Sequence, residues 1–349
     1  MVFPIKFSKI VILNYNGTHD LQECIKSLPN SFAPHEIVII DNGSSDSEIK
    51  KIKELIKGCD NITLFKNNKN LGFTGGYNAY FKSLPFEDNE YIFLLNNDTA
   101  LDVNFFNSVE SCLSSIKEPL VVSCKMVNYW DKKLMDNAGH KMLSSGEIIS
   151  IGNGEPVESY KIPFENIGAC AGAALYSTKM LKDIGLFDEY FDTGYEDTEL
   201  GLRAFIAGYK CVFNPDLIVF HKMGQSIKDI YNYKYTLKIQ TNIFYTCLKL
   251  VHWQVLAINI IPFILRFIII TIIDLIFWRP RYLKVQYHAL FNILFKDFKK
   301  VLNARKESKR FRRIPWLKLL RKQEFFLKRD IQNFYKFIIK GEKSYFEKY

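Results

Sequence analysis

Short apolar runs alternate with amphipathic stretches through the first hundred residues. Lys9-Ile-Val-Ile-Leu13, Glu36-Ile-Val-Ile-Ile40, Ile62-Thr-Leu-Phe65 and Tyr91-Ile-Phe-Leu-Leu95 have the β-branched character of buried strands. Between them, helical periodicity is predicted near Asp20 to Ser27, Glu48 to Lys57 and Tyr77 to Leu84. This alternation predicts an α/β fold, a mostly parallel sheet covered by helices on both faces. Ligands of such sheets gather at the carboxyl ends of the strands. Polar clusters stand at those ends: Asn14-Tyr15-Asn16-Gly17, Asp41-Asn-Gly-Ser-Ser-Asp46 and Asn96-Asn97-Asp98-Thr99.

From about Ser123 to Asn214 the pattern is mixed, with more strands and glycines, and completes the same domain. The chain then turns almost wholly apolar from Leu256 to Trp278 and basic beyond Lys296. The expected organisation is a catalytic domain over residues 1–250 and an apolar segment with a basic helical tail over 251–349.

Charge sharpens this division. The chain has 349 residues, 48% of them hydrophobic, and a net charge of +10. Residues 296–349 hold 18 Lys and Arg against 6 Asp and Glu, which leaves the preceding part near neutral at 29 against 31. A uniformly basic nucleic-acid face is therefore excluded as an expectation. Seven scattered cysteines without a C-x-x-C pair are expected to be reduced core residues. The start of the chain lacks the pattern of a signal peptide, so the catalytic part is expected to face the cytoplasm.

The polar clusters suit transfer of a group from a nucleoside diphosphate. Asp41 is placed to accept from the imide N–H of a pyrimidine, although Asp-Asn-Gly also makes an ordinary turn. The glycine-dense Asn70-Leu-Gly72-Phe-Thr-Gly75-Gly76-Tyr-Asn78 permits close backbone approach to phosphate or ribose, or serves as a connection only. It is neither a Walker loop nor a dinucleotide fingerprint. Asp98, rigidly held after a buried strand, suits a divalent cation that also binds phosphate oxygens, or a helix cap.

Glu196-Asp197-Thr-Glu199 opens a helix, where the dipole favours carboxylates, and Asp197 is the candidate base. Glu199 and Arg203 form an i, i+4 pair. His221 ends an apolar run, opens a polar stretch reaching Gln225-Ser226, and is either structural or a metal ligand.

In their order along residues 8 to 226, these motifs resemble glycosyltransferase family 2, inverting enzymes of the GT-A fold, and within it rhamnosyltransferase-like and galactofuranosyltransferase-like bacterial members. Phe187-Asp-Glu189 belongs to the matching set. The resemblance implies a Rossmann-like sheet with a helical, membrane-associating C-terminal region. It implies that Asn14, Asp41, Asn70, Gly72, Gly76, Asn78, Asn96 and Asp98 bind the nucleotide sugar. Asp98 and His221 would hold Mg²⁺ or Mn²⁺, and Asp197 would be the catalytic base. Asn96 replaces the first acid of the family's D-x-D motif, so the charge for the metal rests on Asp98. The implied donor is a dTDP- or UDP-sugar, dTDP-rhamnose first. The acceptor is a lipid-linked or growing glycan. A non-catalytic scaffold of the same fold is the contrasting reading. Gly168-Ala-Cys-Ala-Gly172 either leaves room for the donor sugar or packs tightly.

Residues 256–278 are long enough to cross a bilayer, but Asn259, Pro262, Arg266 and Asp274 lie along one side of the expected helix. A charge at a helix centre costs about 2.5–3.5 kcal/mol on insertion. A single span would also export the basic tail. Peripheral or monotopic attachment at the cytoplasmic face is the expectation, with a true span or hairpin and a buried core or oligomer helix as alternatives; Phe311, Trp316, Phe325 and Phe326 are interfacial anchors or pack an amphipathic helix.

Overall fold

The computed structural model describes residues 6–28, 36–83, 86–87, 90–116, 118, 120–222 and 232–341. Leu84, Gln225 and Ser226 lie outside them. The chain divides into two units, one of Met1–His140, Ser150–Phe205 and Tyr209–Met223, the other of Lys141–Ile149, Ile206–Gly208 and Gly224–Tyr349.

The first unit opens with the alternation expected from the sequence: β1 (Lys6–Asn14), α1 (Thr18–Lys26), β2 (Glu36–Asp41), α2 (Asp46–Leu55), β3 (Ile62–Lys66), α3 (Gly72–Phe81) and β4 (Glu90–Asn96). It continues through β5 (Thr99–Leu101), α4 (Phe105–Ser115), β6 (Leu120–Asn128) and β7 (Met135–Asn137). Strands β8 (His140–Leu143) and β9 (Ile148–Ser150) fall mainly in the second unit, and the first resumes with β10 (Phe164–Asn166), β11 (Ala173–Ser177), α5 (Thr178–Ile184), α6 (Glu196–Ile206) and β12 (Lys210–His221).

The main sheet runs β10-β12-β6-β11-β4-β1-β2-β3, with β5 beside β12 and β7 beside β6. It is mixed, and less uniformly parallel than the sequence pattern predicts. Strands β3, β2, β1 and β4 are parallel, but β11 enters antiparallel between β4 and β6. Strand β11 pairs its small residues Ala173 and Ala174 with Leu95 and Leu94, and no period in the sequence specifies that direction.

The core under one sheet face joins Ile10, Ile12, Ile39, Phe93 and Leu95 to Leu21, Ile52 and Phe105 of the covering helices. Burying each such side chain contributes about 1.5–3 kcal/mol.

Helix α3 begins earlier than predicted, because the glycine-dense segment is itself helical. Gly72 sits at φ +71°, and a Cβ there would lie 2.7 Å from the Asp192 carbonyl oxygen. The helix therefore starts where glycine permits both the backbone angle and the contact.

The second unit contains α7 (Tyr233–Leu250), α8 (Trp253–Ile276), α9 (Pro280–Phe291), α10 (Phe298–Glu307), α11 (Trp316–Arg321), β13 (Gln323–Glu324) and α12 (Phe326–Asn333). Strand β13 pairs with β8, Gln323 beside Met142. Helix α8 is long and apolar enough to cross a membrane.

The polar stripe of α8 turns inward: Asn259 and Asp274 are buried, and Arg266 meets Glu147 at 3.0 Å and Asp330 at 2.8 Å. Arg329 meets the same Glu147 at 2.5 Å. Burial works against the Glu147 carboxylate, but Arg266 and Arg329 hold its pKa below the ordinary range. Glu147→Leu would leave two partly buried guanidiniums with one fewer counter-charge. It is expected to cost about 3–5 kcal/mol, readable as a lowered denaturant midpoint.

Two expectations need correction. Phe311 and Phe326 are buried in the second unit and cannot anchor a membrane, whereas Phe325 is exposed. All seven cysteines are free, but Cys59 is exposed, because it lies in the turn after α2 and not in the core.

Candidate active site

Parallel register assembles the site. Asn14 of β1 lies beside Asp41 of β2, and Leu13 lies beside Asn96 of β4. Three polar side chains thus stand abreast where apolar strands end. The loops behind them are tied together: Asn16 N–H donates to Ser44 Oγ at 2.9 Å, and Ser45 N–H donates to Asn16 Oδ1 at 3.0 Å. Asn97 Nδ2 donates to Asn14 Oδ1 at 2.8 Å. Asp41 is fully buried. Its Oδ2 accepts from Ser44 N–H at 3.3 Å, while Oδ1 has no partner. An orphaned buried acceptor fits the N–H of a nucleobase, since leaving it unpaired costs about 1–3 kcal/mol.

Asn70, Gly72, Gly76 and Asn78 hold α3 onto the strand ends. Asn70 Oδ1 accepts from Gly72 N–H at 2.8 Å and from Asn42 Nδ2 at 3.1 Å. A Cβ on Gly76 would meet Leu13 Cδ1 at 2.7 Å. Asn78 Nδ2 donates to the Phe187 carbonyl at 2.8 Å. These contacts pack the segment against the strand ends.

Asp98 and His221 meet although far apart in sequence. Strand β12 pairs His221 with Thr99 of β5, and Lys222 N–H donates to the Asp98 carbonyl at 2.9 Å. Lys222 Nζ is anchored by Asp20 and Glu23, both at 2.6 Å. His221 Nε2 lies 3.2 Å from Asp98 Oδ1, an oxygen that accepts no aligned hydrogen bond. On the other side of the ring, Nδ1 lies 2.6 Å from Asp136 Oδ2.

Burial alone would lower the His221 pKa, but Asp98 and Asp136 outweigh it and raise it to about 10. Burial would raise the Asp98 pKa, yet His221 holds it below the ordinary carboxylate range.

A divalent cation fits this pair. Asp98 Oδ1 is a buried carboxylate oxygen without an aligned partner, and His221 offers Nε2 once its proton leaves. Among the described residues no cluster of three or more His, Cys, Asp or Glu is arranged for a metal. Mg²⁺-type sites commonly use one or two protein ligands and complete the shell with substrate phosphates and water. Asp136 was missed in the sequence. Its carboxylate orients the ring through Nδ1, the usual support of a metal-binding histidine. Asp136→Asn is expected to weaken Mn²⁺ binding by about 10–100-fold, measured by titration calorimetry.

Asp197 occupies the first turn of α6. Its Oδ1 accepts from Thr198 N–H at 2.6 Å and Thr198 Oγ1 at 3.2 Å, and its Oδ2 accepts from Ala171 N–H at 3.1 Å. The neighbouring Gly172 carbonyl accepts from Asn96 N–H at 2.9 Å, linking Asp197 to the end of β4.

The small-residue segment makes this approach possible. A Cβ on Gly201 of α6 would lie 2.5 Å from Gly168 Cα. Tight packing is the observed use of Gly168. Gly201→Ala is expected to cost about 1–3 kcal/mol by overpacking, seen as a lowered Tm, and to reduce turnover as Asp197 shifts. His140, also missed, is buried near Asp197. Burial lowers its pKa, against the pull of the nearby Asp197 carboxylate. Glu199 and Arg203 pair at 2.7 Å as expected and are buried, with Arg203 also donating to the Ile184 and Leu186 carbonyls.

A Rossmann-like mixed sheet with carboxylates and amides gathered at its strand ends is the GT-A type of nucleotide-sugar transferase. The chain belongs to glycosyl transferase family 2, whose profile matches residues 9–185, about half of its length.

Over 232 residues it is 24% identical to a dolichyl N-acetyl-alpha-D-glucosaminyl phosphate 3-beta-D-2,3-diacetamido-2,3-dideoxy-beta-D-glucuronosyltransferase of Methanococcus voltae, covering 64% of this chain and 69% of the relative. GalNAc-T7, solved with UDP, GalNAc and Mn²⁺, superposes with a TM-score of 0.54 at 16% identity, over 70% of this chain and 48% of that one. This chain thus spans about half of that protein. S. aureus TarS 1-349 in complex with UDP-GlcNAc gives 0.52 at 14% identity, over 97% and 93% of the two chains. Both structures share the fold. The family match ends before Asp197 and His221.

Proposed function

We propose that this chain is an inverting glycosyltransferase that moves a sugar from a nucleoside diphosphate to a lipid-linked or growing glycan acceptor in cell-surface polysaccharide synthesis. The observation that carries this reading is the convergence of Asp41 with Asp98, His221 and Asp197 around the end of β4. Asp41, with its free oxygen, binds the base, and Asn14 and Asn96 line the same edge toward the ribose. Asn70, Gly72, Gly76 and Asn78 shape the donor pocket from behind.

Asp98 and His221 are the residues that would hold Mg²⁺ or Mn²⁺. When bound, the cation supplies neutralising charge to the leaving diphosphate. Asp197 takes the proton of the acceptor hydroxyl as its oxygen attacks the anomeric carbon in line, so one displacement inverts the configuration. Its three hydrogen bonds fix the carboxylate and leave acceptor capacity for that proton.

The first donor is dTDP-rhamnose, on the likeness of the motifs to rhamnosyltransferases. A UDP-hexose or UDP-galactofuranose is the second reading, favoured by UDP and UDP-GlcNAc in the two solved relatives. The Methanococcus relative, named for a dolichyl-linked phosphate, supports a lipid-linked acceptor.

Catalysis is assigned to residues 1–250 and membrane association to 251–349, at the cytoplasmic face. Ile261, Leu265, Ile268 and Ile272 of α8 are exposed while its polar stripe is buried, the pattern of a helix lying in a membrane interface. No role with nucleic acid is assigned. Turnover compared across dTDP-rhamnose, UDP-hexoses and UDP-galactofuranose, with the anomeric configuration of the product read by NMR, tests donor and mechanism together. A product that retains the donor's configuration overturns the single displacement.

A further inference from the structure

The second unit contains a cavity of about 510 Å³, within the range of small-molecule sites. It follows α8 from Leu256 to Asp274, about 27 Å at 1.5 Å per residue, so it is long and narrow. Leu248, Leu256, Ile260 and Leu294 stand in the wall toward one end and Thr236, Asp274, Arg279 and Gln286 toward the other, and the paired Glu147 and Arg266 also line it.

Three buried side-chain atoms on the lining residues have no hydrogen-bond partner: Asp274 Oδ2, on a residue 2% exposed, Asn259 Nδ2, on one 5% exposed, and Ser145 Oγ, on one 6% exposed. Asp274 Oδ1 is 3.4 Å from Arg279 Nη1, and the Arg279 side chain is 34% exposed while that of Asp274 is buried. Arg281 and Lys284 follow on the first turns of α9.

We propose that this cavity binds the lipid portion of the acceptor, a long-chain lipid phosphate whose hydrocarbon chain lies along α8. Its phosphate meets Arg279, and a hydroxyl of its attached sugar donates to Asp274 Oδ2. The exposed apolar face of α8, including Ile261, Leu265 and Ile268, gives such a chain a route from a bilayer. Asn259 sits near the end lined by Leu256 and Ile260, where a hydrocarbon occupant leaves its amide unanswered. The proposal therefore commits to a direction: Asn259→Leu keeps or strengthens binding, whereas Asp274→Leu and Arg279→Ala weaken it. This inference rests on the lipid-linked reading of the acceptor.

The test uses the full chain on phosphatidylglycerol vesicles carrying a photoreactive glycosylated polyprenyl phosphate. A polyprenol without phosphate and a photoreactive diacyl phospholipid form the other arms. Labelling is expected on peptides covering residues 256–294. It should fall at least tenfold in Asp274→Leu and Arg279→Ala, in protein whose circular dichroism and melting match wild type, and should persist in Asn259→Leu.

Equal labelling by the diacyl phospholipid identifies the cavity as a site for bulk lipid and overturns the proposal. Loss in Asn259→Leu with none in Asp274→Leu overturns the direction. Transfer assays separate the two claims. If the glycosylated polyprenyl phosphate is a substrate but does not label the cavity, only this inference fails. If sugar is transferred only to lipid-free saccharide, the lipid-linked reading fails with it.

Discussion

Asp197→Asn is expected to lower kcat by about 10²–10⁴-fold, with the donor KM changed only a few-fold. The amide preserves the shape of the side chain, but its single oxygen replaces only one of the two accepting oxygens, so either the Ala171 or the Thr198 bonds are lost. The amide cannot take the acceptor proton. A structural role for Asp197 predicts the opposite division, with lost folding stability or a raised KM and turnover per folded molecule little altered. Single-turnover rates beside melting curves separate the two. The contacts favour the chemical role, since N–H and O–H donors of Ala171 and Thr198 fix the carboxylate.

Loss of the carboxylate at position 98 is the second large effect. Asp98→Asn removes the negative charge at the end of β4, where Asn96 already contributes none. Divalent-cation dependence of donor binding should then largely disappear. The expected result is a fall of at least 10²-fold in kcat/KM, not rescued by high Mn²⁺, because stabilisation of the leaving group is among the larger contributions to transfer.

The pH dependence follows from His221. Without metal its proton is held between Asp98 and Asp136, with a pKa raised to about 10. The stability from this ion-paired ring is fully present below the unfolded histidine pKa near 6.5 and is lost as pH rises through the folded value. Metal binding at Nε2 must displace that proton, so Mn²⁺ affinity should rise with pH, by about tenfold per unit while the ring remains protonated in the free protein. Calorimetry at pH 6, 7 and 8 reads this slope. Asp136→Asn should flatten it by lowering the histidine pKa.

Much of this site was legible in sequence because its residues follow local signals. Asp41 and Asp98 end strong apolar strands, Asp197 opens a helix, and His221 ends the run of β12. Asp136 gave no such signal: it lies 85 residues from the histidine it orients, in a three-residue strand without metal-ligand spacing. Glu147 was invisible for the same reason, since its partners Arg266 and Arg329 come from remote helices.

The helix expected near Tyr77 to Leu84 begins past the glycine-dense segment, where glycine weakens helices. Close packing against Leu13 and Asp192 overrides that propensity. In the apolar segment, spacing alone places Asn259, Arg266 and Asp274, with Pro262, on one side of a helix. It could not reveal that Arg266 has two carboxylate partners, which removes much of the cost of keeping it there.

Release of nucleoside diphosphate by the full chain, supplied with the donor panel, Mn²⁺ or Mg²⁺ and membrane extract, tests the central claim most directly. Wild type should release it from at least one donor in a metal- and extract-dependent manner, and Asp197→Ala should not. Absence of release from every donor with either metal, or equal release by Asp197→Ala, would contradict the account.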